Sequence, residues 1–363
     1  MRAHVAVVGA TGIAGQQFLV ALAEHPWFEV AMLAASERSA GKTYDAALRD
    51  PKTGARRWWC VEEPPTRFLT MPVENADGLD LAGVDLVFAA VESEAARTLE
   101  AQYAKTTPVL STASAFRYED DVPIMVPGIN GTHAALIDRQ RRTRGWRGFI
   151  VPLPNCTAMG LVVSLKPLLD RFGVRRVVMT SMQGLSGAGR APGVAALDIV
   201  DNVIPYIPGE EEKVARETGK ILGRLERGAI IPTTFPVSAT CTRAAVSDGH
   251  TEAVAVSLGA AATPADVAAA FREFGDELRG LELPSAPRRL ITVHDDPFRP
   301  QPRLDRDADG GMTTSVGRIR EDPALEHGVR YVLVSHNTKM GAAKGAVLTA
   351  EYLRTTGYGP GRP

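Results

Sequence analysis

Through the first 155 residues, short apolar runs alternate with stretches of helical period, the pattern that a parallel α/β sheet produces. Residues 4–8 (HVAVV) read as a buried first strand and residues 28–33 (FEVAML) as a second. Between them, residues 12–23 carry Phe18, Leu19 and Leu22 on one face, the spacing of an amphipathic helix. Residues 84–89 and 108–110 are predicted as later strands, separated by a helix over 92–104. Residues 50–72, rich in Trp and Pro, form a less regular insert.

After Cys156 the pattern changes. Residues 157–172 have helical period, with Pro167 as a kink or an early end. A strand over 174–182 runs into a glycine-rich loop, LSGAGRAPG. Residues 210–222 read as a helix with Val214, Thr218 and Ile221 on one face. Further strands are expected at 229–235, 252–258, 289–293, 312–318 and 331–335, and a polar surface loop at 297–309. Clustered strands with few helices between them point to an α+β domain with a mostly antiparallel sheet. The expected organisation is a Rossmann-type dinucleotide-binding domain over 1–155, joined by a final helix in 339–363, and a second domain over 156–338.

A chain of 363 residues suits two such domains. The net charge of −1 argues against a broad basic surface for nucleic acid or a membrane anchor, and leaves small anionic ligands open. The opening MRAHVAVVGATG passes from one arginine into an apolar run too short for a signal peptide, and no window approaches a membrane span. Cys60, Cys156 and Cys241 are too few and too widely spaced for a disulfide framework or a zinc site. A reducing cytoplasm is the expected compartment.

Gly9, Gly12 and Gly15 lie between the first strand and first helix, in VAVVGATGIAGQ. A GxxGxxG turn there lets backbone N–H groups and a helix N-terminus approach a pyrophosphate. The end of the second strand carries Ser36, Glu37, Arg38, Ser39 and Lys42. A hydroxyl followed by Arg38 suits the 2′-phosphate of NADP, whereas Glu37 would suit NAD; NADP is favoured.

Cys156, in PNCTAMG, stands where a helix begins, and the positive end of the helix dipole activates a thiol. Its alternative is a packed cysteine beside an Asn155 cap. A second cluster, CTRAAVSDGHTEAV, contains Arg243 and His250. His250 could exchange a proton with a thiol, or sit satisfied in a turn. Arg243 could grip a carboxylate, or be a solvated strand residue.

In this order the segments resemble aspartate-semialdehyde dehydrogenases, most closely the archaeal and fungal branch. GATGIAGQ and ASERSAGK are similar to that family's cofactor segments, PNCT to its nucleophile motif and MQGLSGAG to its glutamine loop. LDIVDNVIPYIPGEEEK, RAAVSDGHTEAV, SVGRIR and SHNTKMGAAKGA extend the likeness over nearly the whole chain.

The resemblance implies Cys156 as nucleophile, His250 as general acid/base and Gln183 as the group that orients the reactants. It implies Glu210 and Arg243 for the substrate's ammonium and carboxylate, and Lys213, Arg117 and Asn155 for its phosphate. Gly9, Thr11, Gly12, Ile13, Gly15, Ser36, Arg38 and Ser39 would hold NADP, with Ser186, Gly187 and Asn337 near the nicotinamide. Because three glutamates (Glu210, Glu211, Glu212) are consecutive, which one points inward stays open, and a solvated helix face is the alternative. Arg190 and Ala191 depart from the family loop, and Arg190 adds a cation that could alter substrate preference.

The implied reaction is the reductive dephosphorylation of β-aspartyl phosphate to aspartate semialdehyde through a Cys156 thioester, a step in lysine, threonine and methionine biosynthesis. A homodimer or homotetramer is expected. One rival is an acyl-CoA reductase of the same family, similar to malonyl-CoA reductase; another is a nucleotide sensor without chemistry.

Overall fold

The computed structural model describes residues 2–188 and 196–359. The chain divides into two compact units. One comprises Met1–Met125, Thr132–Leu153 and Ala342–Pro363, the other Val126–Gly131 and Pro154–Gly341.

The first unit holds strands β1 (Ala3–Val8), β2 (Phe28–Ala35), β3 (Val73–Asn75), β4 (Leu86–Ala89), β5 (Val109–Ser111) and β6 (Ile150–Pro152). They form one sheet in the order β3-β2-β1-β4-β5-β6, and every pairing is parallel. The inner strands are solidly apolar because helices cover both faces of such a sheet; β4 and β5 are buried at every residue. The helices Ile13–Leu22 and Ala343–Thr355 pack against each other, and a buried bond of 2.7 Å joins His25 Nε2 to Glu351. The strand order reverses between β1 and β4, and sheets of this kind bind ligands at the carboxyl ends of the strands flanking that reversal.

The second unit contains β7 (Val174–Gln183), β8 (Arg224–Glu226), β9 (Ala229–Ile231), β10 (Val237–Arg243), β11 (His250–Leu258), β12 (Ile291–Val293), β13 (Thr314–Glu321) and β14 (Gly328–Ser335). Its main sheet runs β10-β7-β11-β14-β13-β12, with β8 and β9 as a separate hairpin. The three central pairings are antiparallel, while β10 and β12 join the edges in parallel. Along β7, Val177, Met179, Ser181 and Gln183 are buried and Val178, Thr180 and Met182 face outward. The helix Cys156–Phe172 packs on this sheet, with Pro167 retained inside it. Among the described residues no helix is long and apolar enough to cross a membrane.

Several expectations need correction. The strand expected over 229–235 stops at Ile231, ahead of Pro232, and the chain then enters β10, which the small polar residues of VSATCTR disguise. The stretch 297–309 is not all surface: it holds a helical turn at Pro302–Asp305, and Asp305 is buried, accepting hydrogen bonds from Arg299 and from the Gln301 amide at 2.6 Å. The helix Pro264–Glu273 was not anticipated, although Thr263 and Asp266 form a full capping box before it. The final helix begins at Ala343 and not at 339. Arg190 lies outside the described residues.

Candidate active site

The glycines of the first unit divide by what surrounds them. Gly9 has φ of +80°, and a Cβ there would stand 2.1 Å from the Ala90 carbonyl oxygen. A Cβ on Gly15 would stand 2.1 Å from the Gly9 oxygen. Both are glycine because the protein's own backbone passes too close for anything else. Gly12 differs: its nearest neighbour would be the Gly9 oxygen at 3.4 Å, an ordinary contact. It occupies the N-cap of Ile13–Leu22 and offers no side-chain cap to the N–H groups behind it. A pyrophosphate suits that uncapped, side-chain-free helix end, so the loop fits a dinucleotide.

The loop is braced from behind. Tyr44 donates to the Ala10 carbonyl at 2.7 Å, and buried Gln16 donates to the carbonyls of Thr11 (3.1 Å) and Arg57 (2.8 Å) while accepting from the Trp59 amide (2.8 Å). The Trp-rich insert is therefore tied to the nucleotide helix, a link that residue spacing does not reveal. Ser36, Glu37 and Arg38 stand exposed just past the end of β2. Arg38 makes no ion pair among the described residues, which leaves its guanidinium open to a phosphate. Arg117 also belongs to this unit, almost buried, and donates to the Thr112 carbonyl at 2.9 Å. Beside it, burial pushes the Glu100 carboxyl up to about 8, against the pull of a Ser111 hydrogen bond and of Arg117.

The thiol site lies in the second unit. Asn155 caps the helix Cys156–Phe172, its Oδ1 accepting from the amides of Thr157 (2.9 Å) and Ala158 (3.2 Å). Its own amide donates to Glu217 (2.5 Å) and its Nδ2 to Glu210 (2.9 Å). Held at both ends, Asn155 fixes the residue that follows it. Cys156 Sγ stands 3.1 Å from Nε2 of His250, the first residue of β11. A thiol facing an imidazole at a helix N-terminus is an arrangement that can do nucleophilic chemistry.

Three strand ends surround the pair. Parallel register sets Arg243 of β10 beside Gln183 of β7, and the antiparallel pairing of β11 brings His250 to the same edge. Arg243 is buried, not solvated, and its Nη1 donates to the Gly184 carbonyl at 2.8 Å. Burial depresses its pKa, while charge interactions with Cys156, Glu210 and Cys241 oppose that shift. Gln183 Nε2 donates to Glu210 at 3.2 Å. Of the three consecutive glutamates, Glu210 points inward, Glu211 accepts from the Cys241 amide at 2.9 Å and Glu212 is exposed. Lys213 is half-buried one turn beyond Glu210 and bonds to no site residue among those described.

The described start of the glycine loop, Leu185–Ala188, lies against the His250 ring. A Cβ on Gly187 would meet Arg243 Nη1 at 3.1 Å and His250 Cε1 at 3.2 Å. Asn337 ties the loop down, its Nδ2 donating to Ser186 Oγ (2.8 Å) and its Oδ1 accepting from the Gly249 amide (2.8 Å). The Gly184 amide donates to His250 Nδ1 at 3.1 Å. Burial and the nearby Arg243 push the His250 pKa down to about 3; His336 adds to this and the Gly249 carbonyl opposes it. Gly184 and Glu217 are the contacts that residue patterns did not reveal. For Glu217, its place seven residues after Glu210, two helical turns on the same face, was the available signal.

A dinucleotide loop in one unit and a capped thiol against an imidazole in the other define a class, the dehydrogenases that act through a cysteine. Residues 4–137 match the family profile described as semialdehyde dehydrogenase, NAD binding domain, and residues 165–340 the one described as semialdehyde dehydrogenase, dimerisation domain. The chain is 44% identical over 350 residues to the aspartate-semialdehyde dehydrogenase of Methanothermobacter thermautotrophicus, covering 96% of this chain and 98% of that protein. To the enzyme of the same name from Archaeoglobus fulgidus it is 45% identical over 359 residues, covering 97% and 98%. The crystal structure of aspartate semialdehyde dehydrogenase with NADP from Candida albicans superposes with a TM-score of 0.88 at 37% identity, covering 99% of this chain and all of that one. The chain belongs to the aspartate-semialdehyde dehydrogenase family.

Proposed function

We propose that this chain catalyses the NADP-dependent reductive dephosphorylation of β-aspartyl phosphate to aspartate semialdehyde through a thioester on Cys156. The carrying observation is the capped Cys156 sulfur, 3.1 Å from His250 Nε2, in a chain of this family. The NADP-bound relative and the dehydrogenases named above favour this reading over an acyl-CoA reductase.

In this reading Cys156 is the nucleophile, His250 the general acid/base that exchanges protons with the thiol and the substrate oxygen, and Gln183 the group that orients the reactants. Arg243 takes the carboxylate of the substrate as a planar two-toothed donor, and Glu210 its ammonium. Lys213, Arg117 and Asn155 serve the phosphate. Gly9, Thr11, Gly12, Ile13 and Gly15 hold the pyrophosphate of NADP, Ser36, Arg38 and Ser39 its 2′-phosphate, and Ser186, Gly187 and Asn337 border the nicotinamide, which when bound supplies the hydride. A thioester accepts hydride more readily than an ester, which is why sulfur and not a serine oxygen is needed.

The second unit carries the match to a dimerisation domain, and Val178 and Met182 project from the outer face of its sheet. A homodimer or homotetramer built on that unit, working in the cytoplasm in lysine, threonine and methionine biosynthesis, is part of the same proposal. Phosphate-dependent NADP reduction with aspartate semialdehyde is the direct assay, with malonyl-CoA reduction run on the same preparation. Turnover with malonyl-CoA and none with aspartate semialdehyde would overturn the substrate assignment. NADP binding without turnover of either would replace it with a sensing role.

A further inference from the structure

We propose that Glu217 is a positioning residue for the reaction: it holds the main-chain amide of Asn155 and thereby fixes the direction in which Cys156 presents its sulfur. The inference rests on the thioester reading above. It adds a residue that is fully buried, with no surface of its own open to substrate.

The chain enters the site as Pro152, Leu153, Pro154, Asn155 and Cys156. The Pro154 ring locks its own φ, and Pro154 has no N–H by which to be tethered. With the peptide planar, one soft torsion, the ψ of Pro154, decides where the Asn155 N–H points. That N–H donates to Glu217 Oε2 at 2.5 Å, which fixes the torsion.

Every other polar atom of Asn155 is engaged as well. Its Oδ1 accepts from the Thr157 and Ala158 amides, its carbonyl accepts from the Met159 amide at 2.9 Å, and its Nδ2 donates to Glu210. A residue held at all of these points has one orientation. The Cα–Cβ bond of Cys156, next in the chain, takes its direction from it.

A carboxyl is a costly choice for this place. Glu217 shares the buried face of the helix Glu210–Ile221 with Val214, Thr218 and Ile221. An apolar side chain of similar length would be buried there without polar cost, whereas a carboxyl must recover its lost hydration through hydrogen bonds. The same helix already brings Glu210 to the Asn155 side chain, so two acids seven residues apart converge on one asparagine.

The rival reading is a plain structural tie between two helices. Positioning is favoured because the acceptor meets the residue immediately before the thiol, at the end of the helix where Sγ stands 3.1 Å from His250 Nε2. Displacing a reacting atom by about 1 Å can cost about 10²-fold in rate. A tie placed further along the helix would hold the fold equally well and leave the sulfur less constrained.

The test compares Glu217→Asp with Glu217→Gln in the full-length enzyme, below the melting temperature of either. Aspartate keeps the acid but withdraws the acceptor by about 1.5 Å, one C–C bond. Glutamine keeps the length and an acceptor oxygen but loses the acid. Glu217→Gln is expected to retain kcat within about threefold, while Glu217→Asp loses about 10-fold or more, with KM for aspartate semialdehyde and phosphate moved by less than about threefold. The reverse order would make the charge and not the placement decisive, and overturns the proposal. So does an equal loss in both, or a lowered melting temperature with kcat intact, which is the signature of a plain tie. Alkylation of Cys156 by iodoacetamide, read by mass spectrometry of its peptide so that Cys60 and Cys241 do not interfere, is expected to slow in the aspartate variant and recover in the glutamine one. Unchanged or faster alkylation in Glu217→Asp contradicts the proposal. That measurement needs no substrate, so it stands if the substrate assignment fails; failure of the thioester reading would show separately, as turnover retained by Cys156→Ser.

Discussion

The nucleotide loop and the thiol site are built by opposite means. In the loop, the shape is made by backbone. Three glycines within seven consecutive residues shape a turn, and two of them are glycine because neighbouring peptides leave no room. The thiol site is assembled from side chains drawn from distant segments. Cys156 and His250 are separated by 94 positions, and Asn155 and Glu217 by 62. A local site tolerates change in the rest of the unit but little within itself. A convergent site depends on sheet register, and a one-residue slip of β11 would turn His250 to the opposite face.

The contrast can be broken or sharpened in order of effect. Cys156→Ser should fold and bind NADP with unchanged affinity, yet lose at least roughly 10³-fold in kcat, because the ester it could form is a poor hydride acceptor. Steady-state rates beside an NADP titration check this, and a near wild-type rate would remove Cys156 from the chemistry.

Within the loop, Gly9→Ala and Gly12→Ala should part company. Gly9→Ala forces a Cβ against the Ala90 carbonyl at positive φ and should cost about 3 kcal/mol or more. Gly12→Ala meets nothing closer than 3.4 Å, so it should melt with the wild type while weakening NADP about 10-fold, roughly 1.4 kcal/mol. Equal melting temperatures for the two variants would refute the division.

Arg243→Lys keeps a charge but loses the planar fork, and should lower kcat/KM by about 10²-fold, mostly through KM, with the fold intact. An unchanged KM would take Arg243 out of substrate binding.

The last effect is on stability alone and appears only as the pH is changed. Glu100, pushed up to about 8 from 4.5, holds in the folded state a proton that the unfolded chain has already released. Its contribution is therefore present below pH 4.5 and is lost as pH rises towards 8, by at most roughly 1.4 kcal/mol per pH unit. Denaturant titrations of wild type and Glu100→Gln across that range should converge at low pH and diverge at high pH, with the wild type the weaker. Parallel curves would mean that Glu100 is not held neutral.

Four strands of the parallel sheet, β1, β2, β4 and β5, were legible as apolar runs with turn residues beside them, whereas β3 (VEN) and β6 (IVP), three residues each, were not anticipated. The second unit was harder. Its edge strand β10 is VSATCTR, whose Thr and Ser residues carry no apolar alternation, and the neighbouring stretch 229–235 read as more strand than Pro232 allows. The helix after Thr263 had its signal in the capping box, and the buried Asp305 had none beyond its arginine six residues away. At the thiol site, the segments bearing Cys156, Arg243 and His250 could each be picked out, but their competing readings as a packed, a solvated and a turn residue could not be dismissed from neighbours alone.

What the linear chain determined by itself were features set within one or two turns: the glycine turn after β1, the asparagine cap before Cys156, and the cationic end of β2. Tertiary structure alone decided which of three adjacent glutamates turns inward, that Glu217 holds the Asn155 amide, and that the Gly184 amide meets the ring of His250. The physical reason is that a hydrogen bond spans about 3 Å whatever the distance along the chain. Gly184 and His250 are 66 residues apart, and only the register between β7 and β11 makes them neighbours.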